Sequence, residues 1–142
     1  MEDLVGKNLK VGNGSVPTAE FMKECNTIGI YYGAHWAPPC RLFTSNLKNF
    51  QATVNENHAD TFKVLFVSDD VNQEHFDLNY NNNMEGWAAI SFDNEEQRKK
   101  LKQKFGINSI PTLVVVNKNG VDLTKTGQED IKENAADALE KW

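Results

Sequence analysis

The chain has 142 residues, of which 39% are hydrophobic and 25% are charged. This length is enough to bury a core and predicts one domain over residues 1–142. Its formal net charge of −5 and mean hydropathy of −0.56 argue against nucleic-acid binding and against membrane spans. Two cysteines are too few for a disulfide scaffold, and the first residues lack the pattern of a secretory signal, so we expect a cytoplasmic protein.

A hairpin, a short helix and a central strand are predicted at the start of the chain. Residues 9–11 and 15–16 flank Asn13-Gly14, a pair that favours a tight hairpin turn. Residues 17–25 then have the pattern of a short helix that begins at a proline. Residues 27–34 form a continuous run of β-branched, aromatic and small side chains, which predicts a strand buried on both faces.

A long helix and a second buried strand follow. The helix is predicted from Pro38 to about Asn55, because prolines suit a first turn and one apolar stripe has helical spacing: Phe43, Leu47, Phe50 and Val54. Residues 62–67 have the pattern of a buried strand. It ends at Ser68-Asp69-Asp70, which we interpret as a solvated strand end rather than as catalytic acids.

Two further helices are predicted after this strand. A weaker helical pattern surrounds Phe76 and Tyr80. The next helix is expected to be capped by Asp93 and to bury Leu101 and Phe105 on one face.

The last part of the chain predicts a hairpin and a helix, and completes the fold. Residues 112–117 and 121–125 flank Asn119-Gly120, a strong hairpin signal. The final helix is expected to be capped by Thr126, with an inner face formed by Ile131, Ala135, Ala138 and Trp142. The alternation of strands and helices predicts an α/β fold: a central mixed sheet with helices on both faces and an N-terminal hairpin.

Two short motifs carry the chemical information. The segment Trp36-Ala37-Pro38-Pro39-Cys40-Arg41 follows the first central strand, and Ile110-Pro111-Thr112 precedes the last hairpin. Together they resemble the thioredoxin superfamily, and within it the tryparedoxin and nucleoredoxin group, whose members carry Trp-Cys-Pro-Pro-Cys-Arg and Ile-Pro-Thr at these places. The resemblance covers roughly residues 4 to 140, and it implies a thioredoxin fold.

The same resemblance implies a thiol–disulfide oxidoreductase of the protein-disulfide reductase type. In that chemistry the first cysteine attacks a disulfide-bearing protein and the second cysteine resolves the mixed disulfide. Ala37 stands at the position of the attacking cysteine, and Cys40 at that of the resolving thiol. Electrons would come from a reduced low-molecular-weight thiol or a reductase, with no cofactor in the domain. Because alanine has no nucleophile, the chain as written is expected to be inactive.

Two explanations of Ala37 remain open. The alanine is an engineered replacement in an active-site variant, or the natural protein has lost the cysteine and works as a redox-inactive module that binds peptides. Retention of Trp36, Cys40 and Pro111 favours a recent or deliberate change, because a redox-inactive lineage has no chemical need for Cys40. The residue encoded at position 37 of the natural gene discriminates between the two.

The resemblance also implies a peptide-binding surface around the motif. We predict that Trp36, Pro38, Pro39 and Trp87 contact the substrate, together with Ile110 and Pro111. The peptide bond between the last two is expected to be cis and to lie beside the Ala37 turn.

The remaining titratable and thiol residues are given structural roles. Tyr31 occupies the strand position at which ordinary thioredoxins have a buried acid, and it is interpreted as a core residue. Cys25 is expected to be buried and too far from Cys40 for a disulfide. His35, His58 and His75 are scattered, and no metal site is predicted.

Overall fold

A seven-stranded mixed sheet organises the structure, a computed structural model that describes residues 1–23, 25–56 and 61–142. The strands are β1 (Asn8–Val11), β2 (Gly14–Pro17), β3 (Thr27–Gly33), β4 (Phe62–Ser68), β5 (Ala88–Ala89), β6 (Thr112–Asn117) and β7 (Asp122–Thr124). The helices are α1 (Glu2–Val5), α2 (Thr18–Phe21), α3 (Pro38–Val54), α4 (Gln73–Asn83), α5 (Glu95–Phe105) and α6 (Gly127–Asn134), followed by a 3₁₀ segment (Ala135–Lys141).

The strand order β2-β1-β5-β4-β3-β6-β7 brings the ends that carry the two motifs together. Strand β3 runs parallel to β4 and antiparallel to β6, with Tyr32 paired to Thr112. The carboxyl end of β3 therefore lies beside the carboxyl end of β4 and the beginning of β6. This arrangement confirms the predicted mixed sheet, its N-terminal hairpin and the thioredoxin fold.

The central strand β3 separates two hydrophobic clusters. Ile28, Ile30 and Tyr32 pack into one cluster with α5, whereas Tyr31 belongs to the other cluster with α3 and α4. Such burial on both faces is what the continuous apolar run predicted. The stripe of α3 is also confirmed, since Phe43, Leu47 and Phe50 are buried and Val54 is partly buried against the sheet.

A glycine in β3 is required by the packing of its neighbours. A Cβ atom at Gly29 would lie 2.6 Å from Cζ of Phe62 and 2.9 Å from Cδ1 of Leu113. We expect Gly29→Ala to lower the free energy of unfolding by about 1–3 kcal/mol, the usual effect of an overpacked core. Gly14→Ala is the matched control, because its nearest neighbour would be the Val11 carbonyl oxygen at 3.7 Å. Urea denaturation of both variants measures the effect, and equal midpoints would show that the core accommodates the methyl group.

The beginning of the chain corrects two predicted boundaries. In the first hairpin Val11 pairs with Gly14, so Gly12 and Asn13 are the turn residues, with Gly12 at φ 59°. The turn thus places its glycine at the first central position, where a positive φ is needed. The helix predicted over 17–25 is limited to α2, because Pro17 still belongs to β2. Glu24, which falls in that prediction, lies outside the described residues, as does His58.

Two further corrections concern the C-terminal helices. The cap of α5 is Asn94 rather than Asp93, since the Asn94 side chain accepts a hydrogen bond from the backbone N–H of Gln97. Helix α6 ends at Asn134, and Ala135 is exposed with φ 48°, so the predicted inner face does not continue through it. Ala138 is buried nonetheless, within the 3₁₀ segment. In the described parts of the chain, every helix is too short or too polar to cross a membrane.

Candidate active site

The turn from β3 into α3 places residue 37 at the beginning of a long helix. Ala37 is the N-cap residue of α3, and its carbonyl accepts hydrogen bonds from the backbone N–H groups of Cys40 and Arg41. Pro38 occupies the first helical position, as predicted, because it needs no hydrogen-bond acceptor there. Any side chain at position 37 therefore lies at the positive end of the helix dipole.

Cys40 lies in the first turn of α3 and is shielded from solvent. Its exposed fraction is 1%, and that of Ala37 is 5%. The shielding of Cys40 was predicted and is confirmed, whereas Ala37 is more deeply buried than expected for a turn residue.

Tyr31 and Thr44 fix the position of Cys40. Their hydroxyl oxygens lie 2.9 Å apart, and each hydroxyl donates to the Cys40 carbonyl oxygen at 2.9 Å. The Tyr31 ring is fully buried and packs edge-on against Phe43. Tyr31 is thus a core residue, as predicted, and it joins β3 to the first turn of α3.

The surroundings of Cys40 keep its thiol in the neutral form. Burial raises the pKa of the Cys40 thiol above its ordinary value, and the negative charges of Asp70 and Asp69 raise it further. Interactions with the Ala34 backbone and the Tyr31 hydroxyl offset part of this increase in the pKa. A protonated and shielded thiol is a poor first nucleophile but is suited to a second step that follows at short range.

Asp70 is a structural part of the site that the sequence analysis missed. Its side chain is 7% exposed, and Oδ1 accepts a 2.6 Å hydrogen bond from the backbone N–H of His35. Its Oδ2 accepts a 2.5 Å hydrogen bond from the Ser68 hydroxyl. The end of β4 is therefore tied to the active-site turn, and Asp70 is not a solvated strand end. The parallel pairing of β3 and β4 was the available signal, because it brings their carboxyl ends together.

The two tryptophans of the predicted peptide platform have opposite environments. Trp36 is 50% exposed and its indole Nε1 donates to the Asp69 carbonyl at 3.4 Å. Trp87 is only 2% exposed, and its Nε1 donates to Oε1 of Gln51 at 2.7 Å. Trp87 therefore presents almost no surface to a substrate, because its ring packs in the core, edge-on to Tyr31. Its contact with a substrate stays a prediction, and this burial argues against it.

Pro111 lies on the same side of the sheet as the helix that carries Cys40. The Ile110–Pro111 peptide bond is cis, as predicted. Both residues are half-buried, whereas Pro38 and Pro39 are exposed. Pro39 and Pro111 line one groove, so the structure brings together the residues of the two motifs. Their role in substrate binding remains a prediction.

The two cysteines lie at opposite ends of the central strand. Cys25 precedes β3 and is 1% exposed, and its thiol donates to the Thr27 carbonyl at 3.2 Å. Cys40 follows β3 and is a free thiol, in agreement with the prediction that the two do not pair. Residues 1–23, 25–56 and 61–142 contain no group of three or more His, Cys, Asp or Glu side chains that could hold a metal ion.

Comparison with family models and with curated proteins gives consistent matches. A family model described as thioredoxin-like matches residues 26–121. The nucleoredoxin of Danio rerio is 34% identical over 119 residues, which are 84% of this chain and 28% of that protein. The chain spans about a quarter of the length of the nucleoredoxins that it matches.

Comparison with solved structures extends the similarity to nearly the whole chain. The tryparedoxin of Trypanosoma brucei superposes with a TM-score of 0.80 at 30% identity, over 95% of this chain and 90% of that one. Tryparedoxin II complexed with glutathionylspermidine superposes with a TM-score of 0.82 at 26% identity, over 92% of this chain and 88% of that one.

Proposed function

Since the chain belongs to the thioredoxin-like family, as a tryparedoxin- and nucleoredoxin-like member, we propose that its site is that of a protein-disulfide reductase in which alanine occupies the place of the attacking cysteine. The observation that carries the proposal is the position of Cys40. Its thiol is neutral and shielded, one helical turn from a residue at the N-cap of α3. This is the placement of a resolving thiol, and membership of the family supports thiol–disulfide oxidoreductase chemistry.

The proposed reaction needs a thiolate at position 37 for its first step. That thiolate would attack one sulfur of a substrate disulfide and form a mixed disulfide, releasing the first substrate thiolate, which takes up a proton. Cys40 would then lose its proton and attack the sulfur of residue 37, which releases the second substrate thiol and leaves an intramolecular disulfide. The methyl group of Ala37 cannot begin this sequence. Cys40 is too shielded to replace it, so the chain as written binds substrate without turnover.

The partners follow from the same chemistry. We propose a disulfide-bearing protein as substrate, and a reduced low-molecular-weight thiol or a reductase as the donor that restores the dithiol. The complex of tryparedoxin II with glutathionylspermidine supports a low-molecular-weight thiol as the donor. A cytoplasmic location is proposed with it, because reduced thiols persist in that compartment.

A second candidate is a redox-inactive domain that binds peptides. It is favoured by one observation: Trp36 and Pro39 are exposed, and Pro39 lines a groove with Pro111, although position 37 has no nucleophile. The residue that the natural gene encodes at position 37 separates the candidates. Cysteine supports an engineered variant of a reductase, and alanine supports the binding module.

The direct test is the reduction of insulin disulfides, with dithiothreitol as reductant, by the chain as written and by Ala37→Cys and Ala37→Ser. We expect Ala37→Cys to exceed the rate with dithiothreitol alone by at least about tenfold, because only this variant contains the attacking thiol. The other two proteins should stay at the background rate, and the serine variant controls for side-chain size. If the cysteine and serine variants are equal, the reductase proposal is wrong and the binding module replaces it.

A further inference from the structure

A large apolar groove lies beside the active site, between α3 and α6. It encloses about 800 Å³ and contains Pro39 and Pro111 at one end and Thr53 at the other. The α-helical rise of about 1.5 Å per residue makes the groove about 21 Å long, measured along α3 from Pro39 to Thr53. A segment of about six extended residues has this length. The groove is continuous with the active-site surface, because its first two residues belong to the two motifs.

The lining of the groove is mostly apolar. Phe43, Phe50 and Ile131 line it from α3 and α6, and Leu42 stands beside them with an exposed fraction of 67%. A single exposed leucine is ordinary on a protein surface. An exposed leucine in a long apolar groove next to a reaction centre is typical of a binding surface.

Helix α6 ends at the groove. Ala135, which lines it, has φ 48°, and the helix stops at Asn134. The 3₁₀ segment then leads to Trp142, whose ring packs 5.3 Å from that of Phe50 and 5.7 Å from that of Phe62. Phe50 thus contacts Trp142 and also lines the groove.

Side-chain amides on both walls offer hydrogen bonds to a bound backbone. Oε1 of Gln128 accepts a 2.8 Å hydrogen bond from the Leu113 backbone N–H, which orients the amide. Within the described chain, Nε2 of Gln128 makes no hydrogen bond of its own and is available as a donor. Asn46 and Asn49 line the groove from α3. A helical ligand has its backbone groups satisfied internally, whereas an extended segment needs such partners.

We propose that this groove binds an extended, apolar and uncharged segment of the disulfide-bearing protein, adjacent to the cysteine that is attacked. The two charged residues of the groove, Glu129 and Lys132, have opposite signs and favour no net charge in the ligand. The inference rests on the proposed function and adds to it a substrate class. Segments rich in apolar residues near the disulfide are preferred over charged segments and over small disulfides.

The first test compares two leucine variants in the Ala37→Cys protein. Leu42 lines the groove, and Leu78 on α4 is the matched control, an exposed leucine of another helix. Pre-reduced proteins are oxidised by insulin or by hydroxyethyl disulfide. The two second-order rate constants are measured from the loss of the protein's own thiols at positions 37 and 40, by acid quenching, alkylation and mass spectrometry. We expect Leu42→Gln to lower the ratio of the insulin constant to the hydroxyethyl disulfide constant by at least about fivefold, since apolar contact is lost only for the protein substrate. Leu78→Gln should change this ratio by less than about twofold. Equal ratios for the two variants would overturn the groove inference.

The second test separates the groove from the redox chemistry. The unsubstituted protein, with Ala37, is titrated with the reduced and alkylated B chain of insulin, which has no reactive thiol. Side-chain amide resonances of the protein are followed by NMR. The inference requires shifts at Asn46, Asn49 and Gln128, with the exposed Asn81 and Asn82 of α4 as the unshifted control. Absence of shifts in the groove overturns it. If Ala37→Cys reduces neither disulfide, the proposed function fails while this titration still decides whether the groove binds an extended segment.

Discussion

In the Ala37→Cys protein, the new thiol should react with iodoacetamide near pH 7 at least about one hundredfold faster than Cys40, because alkylation proceeds through the thiolate and the pKa values of the two thiols differ. Residue 37 is the N-cap of α3, where the helix dipole stabilises a negative charge. Pro38 and Pro39 have no backbone N–H, and the N–H of Cys40 donates to the carbonyl of residue 37, so the helix dipole is the source of this stabilisation. Cys40 itself is neutral and 1% exposed.

The pH dependence of alkylation distinguishes the two thiols. The rate at residue 37 should rise with pH and become constant above its pKa, which is expected below the ~8.5 of a free cysteine. The rate at Cys40 should continue to rise at higher pH, because burial raises the pKa of that thiol. Mass spectrometry of the alkylated peptides measures both rates in one sample. Similar rates and similar pH profiles at the two positions would contradict the assignment of attacking and resolving roles.

An oxidised sample of the same variant provides an independent check. Residues 37 and 40 are three positions apart in the first turn of α3, a separation that fits the ~4.4–6.8 Å between Cα atoms of a disulfide. Mild oxidation should therefore join residues 37 and 40 in a disulfide and abolish alkylation at both positions. Reduction should restore both thiols. Ala37→Ser should show only the slow reaction of Cys40, and any reaction of Cys25 is common to both proteins.

The position of the site was predictable because local patterns and chain topology agree there. The run over 27–34 is apolar on both faces, which happens when a strand is central, and the stripe containing Phe43 and Leu47 requires the next helix to cover it. Pro38 then determines where that helix begins. Each of these signals depends on neighbours in sequence, so the site could be located without tertiary information.

The features that sequence analysis missed depend on contacts between distant residues. Trp87 is buried because Gln51, which is 36 positions away, accepts its indole N–H. Asp70 is buried because the turn at His35 supplies a backbone donor. Helix α6 ends at Asn134, and the residues that follow pack through Ala138 and Trp142 into the cluster of α3 and α4. The groove between α3 and α6 could not be predicted for the same reason.

Stability should fall steeply above about pH 10, which is the ordinary pKa of a tyrosine side chain. All three tyrosines of the chain are buried, and burial raises the pKa of Tyr31, Tyr32 and Tyr80 in the folded protein. In the unfolded chain they ionise near their ordinary pKa, so the unfolded state loses protons first. The stabilisation is complete below pH 10 and is lost as the pH rises toward the raised pKa values of the folded state.

The size of this effect is set by the number of buried hydroxyls. Each tyrosine with a strongly raised pKa contributes a slope of about 1.4 kcal/mol per pH unit, so Tyr31 and Tyr32 together give about 2.7 kcal/mol per unit above pH 10. A domain with a stability of about 5–15 kcal/mol should therefore unfold within a few pH units. Urea denaturation at a series of pH values between 7 and 12 measures the slope.

Tyr32→Phe isolates the contribution of one hydroxyl. In the described chain the Tyr32 oxygen is buried without a hydrogen-bond partner, so its removal should leave stability near pH 7 unchanged or slightly higher. Above pH 10 the variant should lose stability with a slope smaller by about 1.4 kcal/mol per pH unit. Tyr31→Phe should reduce the slope equally but lower stability at neutral pH, because the Tyr31 hydroxyl donates to the Cys40 carbonyl. Equal alkaline slopes for Tyr32→Phe and the unmodified chain would show that Tyr32 ionises in the folded state as readily as in the unfolded state.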